Sequence, residues 1–136
     1  MVDIADAVEF VRANDMVVLA TMKRDGTPQL SPNTIAVVGD DIVMSTRQTA
    51  YKVRNLRRDP RAWLVVVPKK WLGRWIQLEC RVGIVDLPEA MDLLVEYYRT
   101  LRGEHPDWDD YRRAMLDDQR CILRFEVLSV GPARSG

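Results

Sequence analysis

Short apolar runs separated by turn chemistry constrain this chain most. Met16 to Met22 is apolar and rich in strand formers, and Arg24-Asp25-Gly26-Thr27-Pro28 follows it with turn residues. Gln29 to Val38 reads as a second strand, and Gly39-Asp40-Asp41 turns it into a third, Ile42 to Thr46. Together they predict an antiparallel meander. Ala62 to Val67 is almost continuously apolar, which predicts a strand buried on both faces with Trp63 filling the core. Arg74 to Asp86 and Arg120 to Val130 bring the predicted strands to six.

Helical patterns interrupt these strands without alternating with them. Asp3 stands where it can cap a first helix, because Ile4, Ala7, Val8 and Val11 follow the spacing of one buried face. Ala50 to Arg58 reads as a second helix, stopped by Asp59-Pro60. Pro88 suits the first residue of a third, with Met91, Leu94, Val95, Tyr98 and Leu101 on one face and Gly103 at its close. Trp108 to Leu116 predicts a short fourth helix. The pattern is that of a mainly β chain with peripheral helices, built as a six-stranded, closed or half-closed antiparallel barrel. Its 136 residues suit a single domain over residues 1–136.

Several function classes drop out on composition. Lys+Arg and Asp+Glu both total 20, so no general basic excess points to nucleic acid. Apolar runs fall far short of the roughly 20 residues of a membrane span. The acidic start, Met1-Val2-Asp3-Ile4-Ala5-Asp6, lacks the features of a signal peptide, so a cytoplasmic location is expected. Cys80 and Cys121 lack CxxC spacing and His105 is the sole histidine, which predicts no metal site. Both cysteines read as small core residues. His105 reads as a surface or helix-cap residue between Glu104 and Pro106, and Tyr97 and Tyr98 as one inward and one outward ring.

The zero net charge hides an uneven distribution. Between residues 47 and 61, Arg47, Lys52, Arg54, Arg57, Arg58 and Arg61 face the single acid Asp59. Between residues 86 and 118, ten acids face four arginines. The segment Ser45-Thr46-Arg47-Gln48-Thr49-Ala50-Tyr51-Lys52 leaves a strand, passes through a hydroxyl-rich loop and enters a helix. A helix start favours anions, and cations gathered there are unfavourable unless an anion meets them. Ser45, Arg47 and Lys52 therefore predict a phosphate site. Arg57, Arg58 and Arg61 read as a solvated face pairing with the acidic helices.

Three phrases carry a family likeness: Leu19-Ala20-Thr21-Met22-Lys23-Arg24-Asp25-Gly26-Thr27-Pro28-Gln29-Leu30-Ser31, Lys52-Val53-Arg54-Asn55-Leu56-Arg57-Arg58-Asp59-Pro60, and Gly103-Glu104-His105-Pro106-Asp107-Trp108-Asp109-Asp110-Tyr111-Arg112. The first two resemble the flavin and deazaflavin oxidoreductases of the split β-barrel, pyridoxamine-phosphate-oxidase-like superfamily. The third resembles its actinobacterial branch, many of whose members use the deazaflavin coenzyme F420. The resemblance implies an FMN-binding-type split barrel and a homodimer with cofactor grooves at the interface. It further implies that Ser45, Thr46, Arg47 and Lys52 bind the cofactor phosphate, with Asn55 nearby. Gln29, Ser31 and Asn33 would line the ring system, and Trp75 would approach the groove, from either subunit. Ala50 stands where relatives often carry a second basic residue, which leaves Arg47 to supply that charge.

The implied activity is an F420-dependent reductase moving hydride from reduced deazaflavin to a conjugated organic acceptor. FMN-dependent chemistry and a non-catalytic cofactor carrier are the alternatives. Lys23 and Arg24 would meet the glutamyl tail of a deazaflavin or lie in a solvated turn. No acid–base pair or triad emerges, so no catalytic side chain is assigned; the cofactor would carry the chemistry.

Overall fold

Asp3 opens the first element of the computed structural model, which describes residues 3–135. Its Oδ1 accepts the Asp6 N–H at 2.8 Å, and helix α1 runs Ile4–Ala13 with Ala7 and Val11 buried. Asp3→Ala should lower stability by about 1 kcal/mol, the usual worth of such a cap. A shifted denaturant midpoint with an unchanged slope would show it.

Strands β1 (Met16–Met22) and β2 (Pro28–Thr34) form the first hairpin, and β3 (Ala36–Val38) and β4 (Asp41–Arg47) the second. Helix α2 (Tyr51–Arg58) leads to β5 (Arg61–Val67) and β6 (Arg74–Val85). Helices α3 (Met91–Arg102) and α4 (Trp108–Asp117) precede β7 (Arg120–Ser135). All pairings are antiparallel, in the order β2-β1-β5-β6-β7-β4-β3.

The sheet has seven strands where the sequence predicts six, because Gln29 to Val38 divides at Ile35. Ile35 is fully buried and its N–H donates to Asp15 O at 2.8 Å. The halves on either side of it, β2 and β3, are the two edge strands of the same sheet. One residue can join two opposite edges only if the sheet curls on itself, which gives the split barrel.

Side chains alternate across each strand. Leu19, Leu64, Leu78, Met44 and Leu123 face the barrel core, joined by Val53 and Leu56 of α2. The outer face of β4 and β7 is covered instead by α3 and α4, where Val43 and Ile122 pack with Leu94 and Tyr111. Strand β5 is not buried on both faces. Ala62, Leu64 and Val66 point inward, whereas Trp63, Val65 and Val67 are half-buried on the outside. Trp63 is thus not a core residue; the Arg61 guanidinium lies 5.8 Å from its ring centre.

Two further boundaries and one side-chain orientation differ. Helix α3 starts at Met91 rather than Pro88, with Ala90 in the capping position. Residues 87–90 form a turn in which Ala90 N–H donates to Asp86 O at 2.9 Å. Strand β7 outruns the predicted Val130 because β6 offers partners as far as Arg74, opposite Ser135. Tyr97 and Tyr98 do not point apart: both are half-buried and line one cavity.

Candidate functional site

The register of the first hairpin sets the site. Val17 lies opposite Asn33, Leu19 opposite Ser31, and Thr21 opposite Gln29. Directly opposed residues point to the same face, so Gln29, Ser31 and Asn33 share the inward face of buried Val17, Leu19 and Thr21. They stand at the sheet edge, where α2 packs, and its side chains complete their hydrogen bonds. Lys52 Nζ donates to Asn33 Oδ1 at 2.7 Å, and Asn33 Nδ2 donates to Ser31 Oγ at 3.0 Å. Asn55 Nδ2 donates to Gln29 Oε1 and Thr21 Oγ1, both at 3.1 Å. Five sequence-predicted residues, Gln29, Ser31, Asn33, Lys52 and Asn55, thus form one polar row.

Lys52 gives that row its charge. It forms no ion pair with a carboxylate among the described residues. Burial lowers its pKa below the ordinary lysine value, and the positive charge of Arg120 lowers it further. A half-buried cation whose polar partner is an amide oxygen is suited to an anion. The start of α2 adds to this, because Ala50 provides no capping side chain for its free N–H groups.

Strand alternation separates the remaining residues of the predicted phosphate cluster. Thr46 is 5% exposed and faces the core opposite Cys121. Ser45 and Arg47 point the other way: Ser45 lines the cavity under α3 and α4, and Arg47 lies 3.6 Å from Asp118. Trp75 sits on the outer face of the sheet, beside Val65, Val67, Trp71 and Leu72, around an apolar cavity of about 260 Å³. It does not meet the polar row within one chain.

The structure adds a basic groove. Lys23 and Arg24 of the β1–β2 turn face Arg54 and Arg58 of α2 across a cavity of about 450 Å³, with Asn55 and Tyr51 in its wall. Asp25, the acid in this groove, is held by Thr27, whose N–H and Oγ1 donate to Oδ1 at 3.0 and 2.6 Å. Arg58 Nη2 donates to Met22 O at 2.8 Å, which fixes it toward the hairpin. Sequence reasoning assigned Arg58 to a solvated face and did not join Arg54 to Lys23. Their spacing of four on one helix was the available signal for Arg54 and Arg58, but the helix's orientation toward the hairpin was not.

The other candidates take structural places. Arg57 bridges to Asp86 at 2.8 Å and Arg61 to Asp59 at 2.7 Å. His105 Nδ1 accepts the N–H of Asp107, the α4 cap, at 2.9 Å. Cys80 and Cys121 are fully buried, and burial pushes their thiols up to about 12 and about 11, which suits packing rather than attack. Among the described residues no group of three His, Cys, Asp or Glu is arranged to hold a metal. Nor is any described helix long and apolar enough to cross a membrane.

Comparison with known proteins agrees with this architecture. Residues 5–131 match the pyridoxamine 5'-phosphate oxidase family. A conserved hypothetical protein from Mycobacterium tuberculosis superposes with a TM-score of 0.79 at 25% identity, over 96% of this chain and 83% of that one. An F420 reductase gives 0.72 at 18% identity, over 90% and 94% of the respective chains. HutZ, the heme storage protein from Vibrio cholerae, also gives 0.72, at 14% identity over 100% and 98%. The last two likenesses are of fold alone.

Proposed function

Because the chain belongs to the pyridoxamine 5'-phosphate oxidase family, we propose that it is an oxidoreductase that uses coenzyme F420 to reduce a conjugated organic acceptor. One observation carries the choice of cofactor. The ammonium of Lys52, without a carboxylate partner, and the groove of Lys23, Arg24, Arg54 and Arg58 adjoin at α2, which fits a ligand with both a phosphate and an acidic tail. FMN has the phosphate and no such tail.

In this reading Lys52 binds the phosphate by a charge-assisted hydrogen bond, and the four cations of the groove receive the tail carboxylates. Gln29, Ser31 and Asn33 present amide and hydroxyl groups to the ring system. When bound, the reduced deazaflavin supplies the hydride. The protein's contribution is to hold donor and acceptor in line and keep water out, an effect worth on the order of 7–11 kcal/mol for a well-aligned pair. The acceptor side of the groove would come from a second copy of the chain. The outer face exposes Trp71 and Leu72 beside Trp75, an apolar patch suited to a homodimer interface, and Trp75 would reach the groove of the other copy.

The test is to incubate the protein separately with F420 and FMN, desalt it, and record absorbance. F420 should co-elute and FMN should be largely lost. FMN retained without F420 overturns the reading in favour of an FMN enzyme. If F420 is retained, its reduced form should then be reoxidised by a quinone or enone; no turnover with any of a panel of such acceptors makes the protein a carrier.

A further inference from the structure

We propose that Asp118 is a built-in competitor for the cofactor phosphate, an internal anion that occupies Arg47 and must be displaced from it when the phosphate binds. The inference rests on the reading of Lys52 as the phosphate anchor, and it adds a residue that sets how tightly the anchor region binds.

The placement of Asp118 is the observation behind it. Asp118 caps the C-terminus of α4, whose last turn holds no basic residue. A helix C-terminus disfavours a carboxylate, so the contacts that compensate lie outside the helix. They are two arginines: Asp118 Oδ2 lies 3.6 Å from Arg47 Nη2 and 3.7 Å from Arg120 Nε. Arg47 and Arg120 stand directly opposite each other across β4 and β7, a register in which like charges repel. One carboxylate thus relieves two opposed cations. The turn that carries it is tied to the approach to α2. Gln119 takes a left-handed φ of 53°, and its carbonyl accepts the Gln48 N–H at 2.9 Å.

This network adjoins the Lys52 row. Burial, then the charge of Arg120, lower the Lys52 pKa, so Arg120 is within electrostatic range of the ammonium. Arg47 lies just ahead of α2, where the Ala50 N–H donates to its carbonyl at 3.1 Å. Among the described residues Asp118 is the sole carboxylate that pairs with any of Arg47, Lys52 and Arg120. Three cations against one acid leave an excess of positive charge for an incoming phosphate to meet. Arg47 is the cation able to move: its side chain is 58% exposed, and its contact with Asp118 is too long for a hydrogen bond. A phosphate held by Lys52 therefore draws Arg47 toward it and breaks the Asp118 pair.

Fluorescence titration with F420 and with FMN, which share a phosphate, tests this on the wild type and on variants. Asp118→Asn keeps the outline of the side chain and removes its charge. It should tighten binding of whichever cofactor the wild type takes by about threefold, the scale of one exposed ion pair. Asp117→Asn removes the same charge one residue earlier, from a side chain in no ion pair among the described residues, and should leave affinity within about 1.5-fold. In an Arg47→Met background Asp118→Asn should give no gain, because the competition is for Arg47. A merely structural role would weaken binding, so the direction of the change is the readout. Unchanged or weaker binding in Asp118→Asn overturns the inference. So does an equal gain in Asp117→Asn, which would assign the effect to net charge, or a gain that survives in Arg47→Met. Should Asp118→Asn not fold, Asp118→Ser decides by the same criteria. Lys52→Ala binding as tightly as the wild type sinks the Lys52 reading and this inference with it. Weaker binding in Lys52→Ala without a gain in Asp118→Asn sinks this inference alone, and binding of neither cofactor overturns both.

Discussion

Lys52→Ala should cut affinity for the phosphorylated cofactor by roughly 10- to 150-fold, corresponding to about 1.5–3 kcal/mol for a charged hydrogen bond. Equilibrium titration followed by cofactor fluorescence measures it, and unchanged affinity would mean that the anion sits elsewhere. Removing this lysine breaks no ion pair among the described residues, so the loss should fall on binding rather than folding. A pH signature accompanies it. Protonated Lys52 is the binding form, and burial, then Arg120, lower its pKa. Affinity should therefore fall as pH rises through that lowered value, before the ordinary lysine range near ~10.4. The Lys52→Ala protein should lack this step. For the unliganded fold the sign is opposite. A charged form disfavoured by folding costs stability below the lowered pKa, and the cost fades as pH rises from there to the ordinary value.

The fold was legible wherever turn chemistry broke the apolar pattern. Arg24-Asp25-Gly26-Thr27-Pro28 and Gly39-Asp40-Asp41 mark two hairpins correctly, because such sequences favour chain reversal regardless of what packs around them. No comparable signal marks Ile35, where one predicted strand divides between two sheet edges. That break comes from closure of the barrel, which is a property of the whole sheet. Ala62 to Val67 failed differently. When both faces of a strand are apolar, period two carries no information about which face is inside, and Trp63 was assigned to the wrong one.

Site legibility followed the same physics. Ser45, Thr46 and Arg47 are neighbours in sequence and so looked like one cluster, yet a strand sends them to alternate faces. Lys52 and Asn33 are 19 residues apart and meet only because α2 docks on the β2 edge. Family likeness, not local pattern, put them in one predicted site.

Asn55→Leu should lower stability by about 2 kcal/mol, and the melting temperature by roughly 6–8 °C, with a smaller effect on cofactor affinity. Asn55 is 5% exposed, and leucine keeps the branched outline of its side chain, though it is larger, while removing three polar contacts. Its Nδ2 serves Thr21, itself 1% exposed, and Gln29, while its Oδ1 accepts from Arg58 Nη2 at 3.2 Å. Leucine would leave the Thr21 hydroxyl oxygen without this donor, free the Gln29 side chain and leave Arg58 held by Met22 O alone. Asn55 is thus a positioning residue: it holds one group of the polar row and one cation of the groove. Thermal melts and cofactor titrations separate this from direct contact. A melting temperature unchanged alongside an affinity loss as large as that of Lys52→Ala would mean that Asn55 touches the cofactor itself. A double-mutant cycle sharpens the point. If Asn55 acts through Gln29, then Gln29→Ala should weaken binding in the wild type but add little in the Asn55→Leu background, because one shared contact cannot be lost twice.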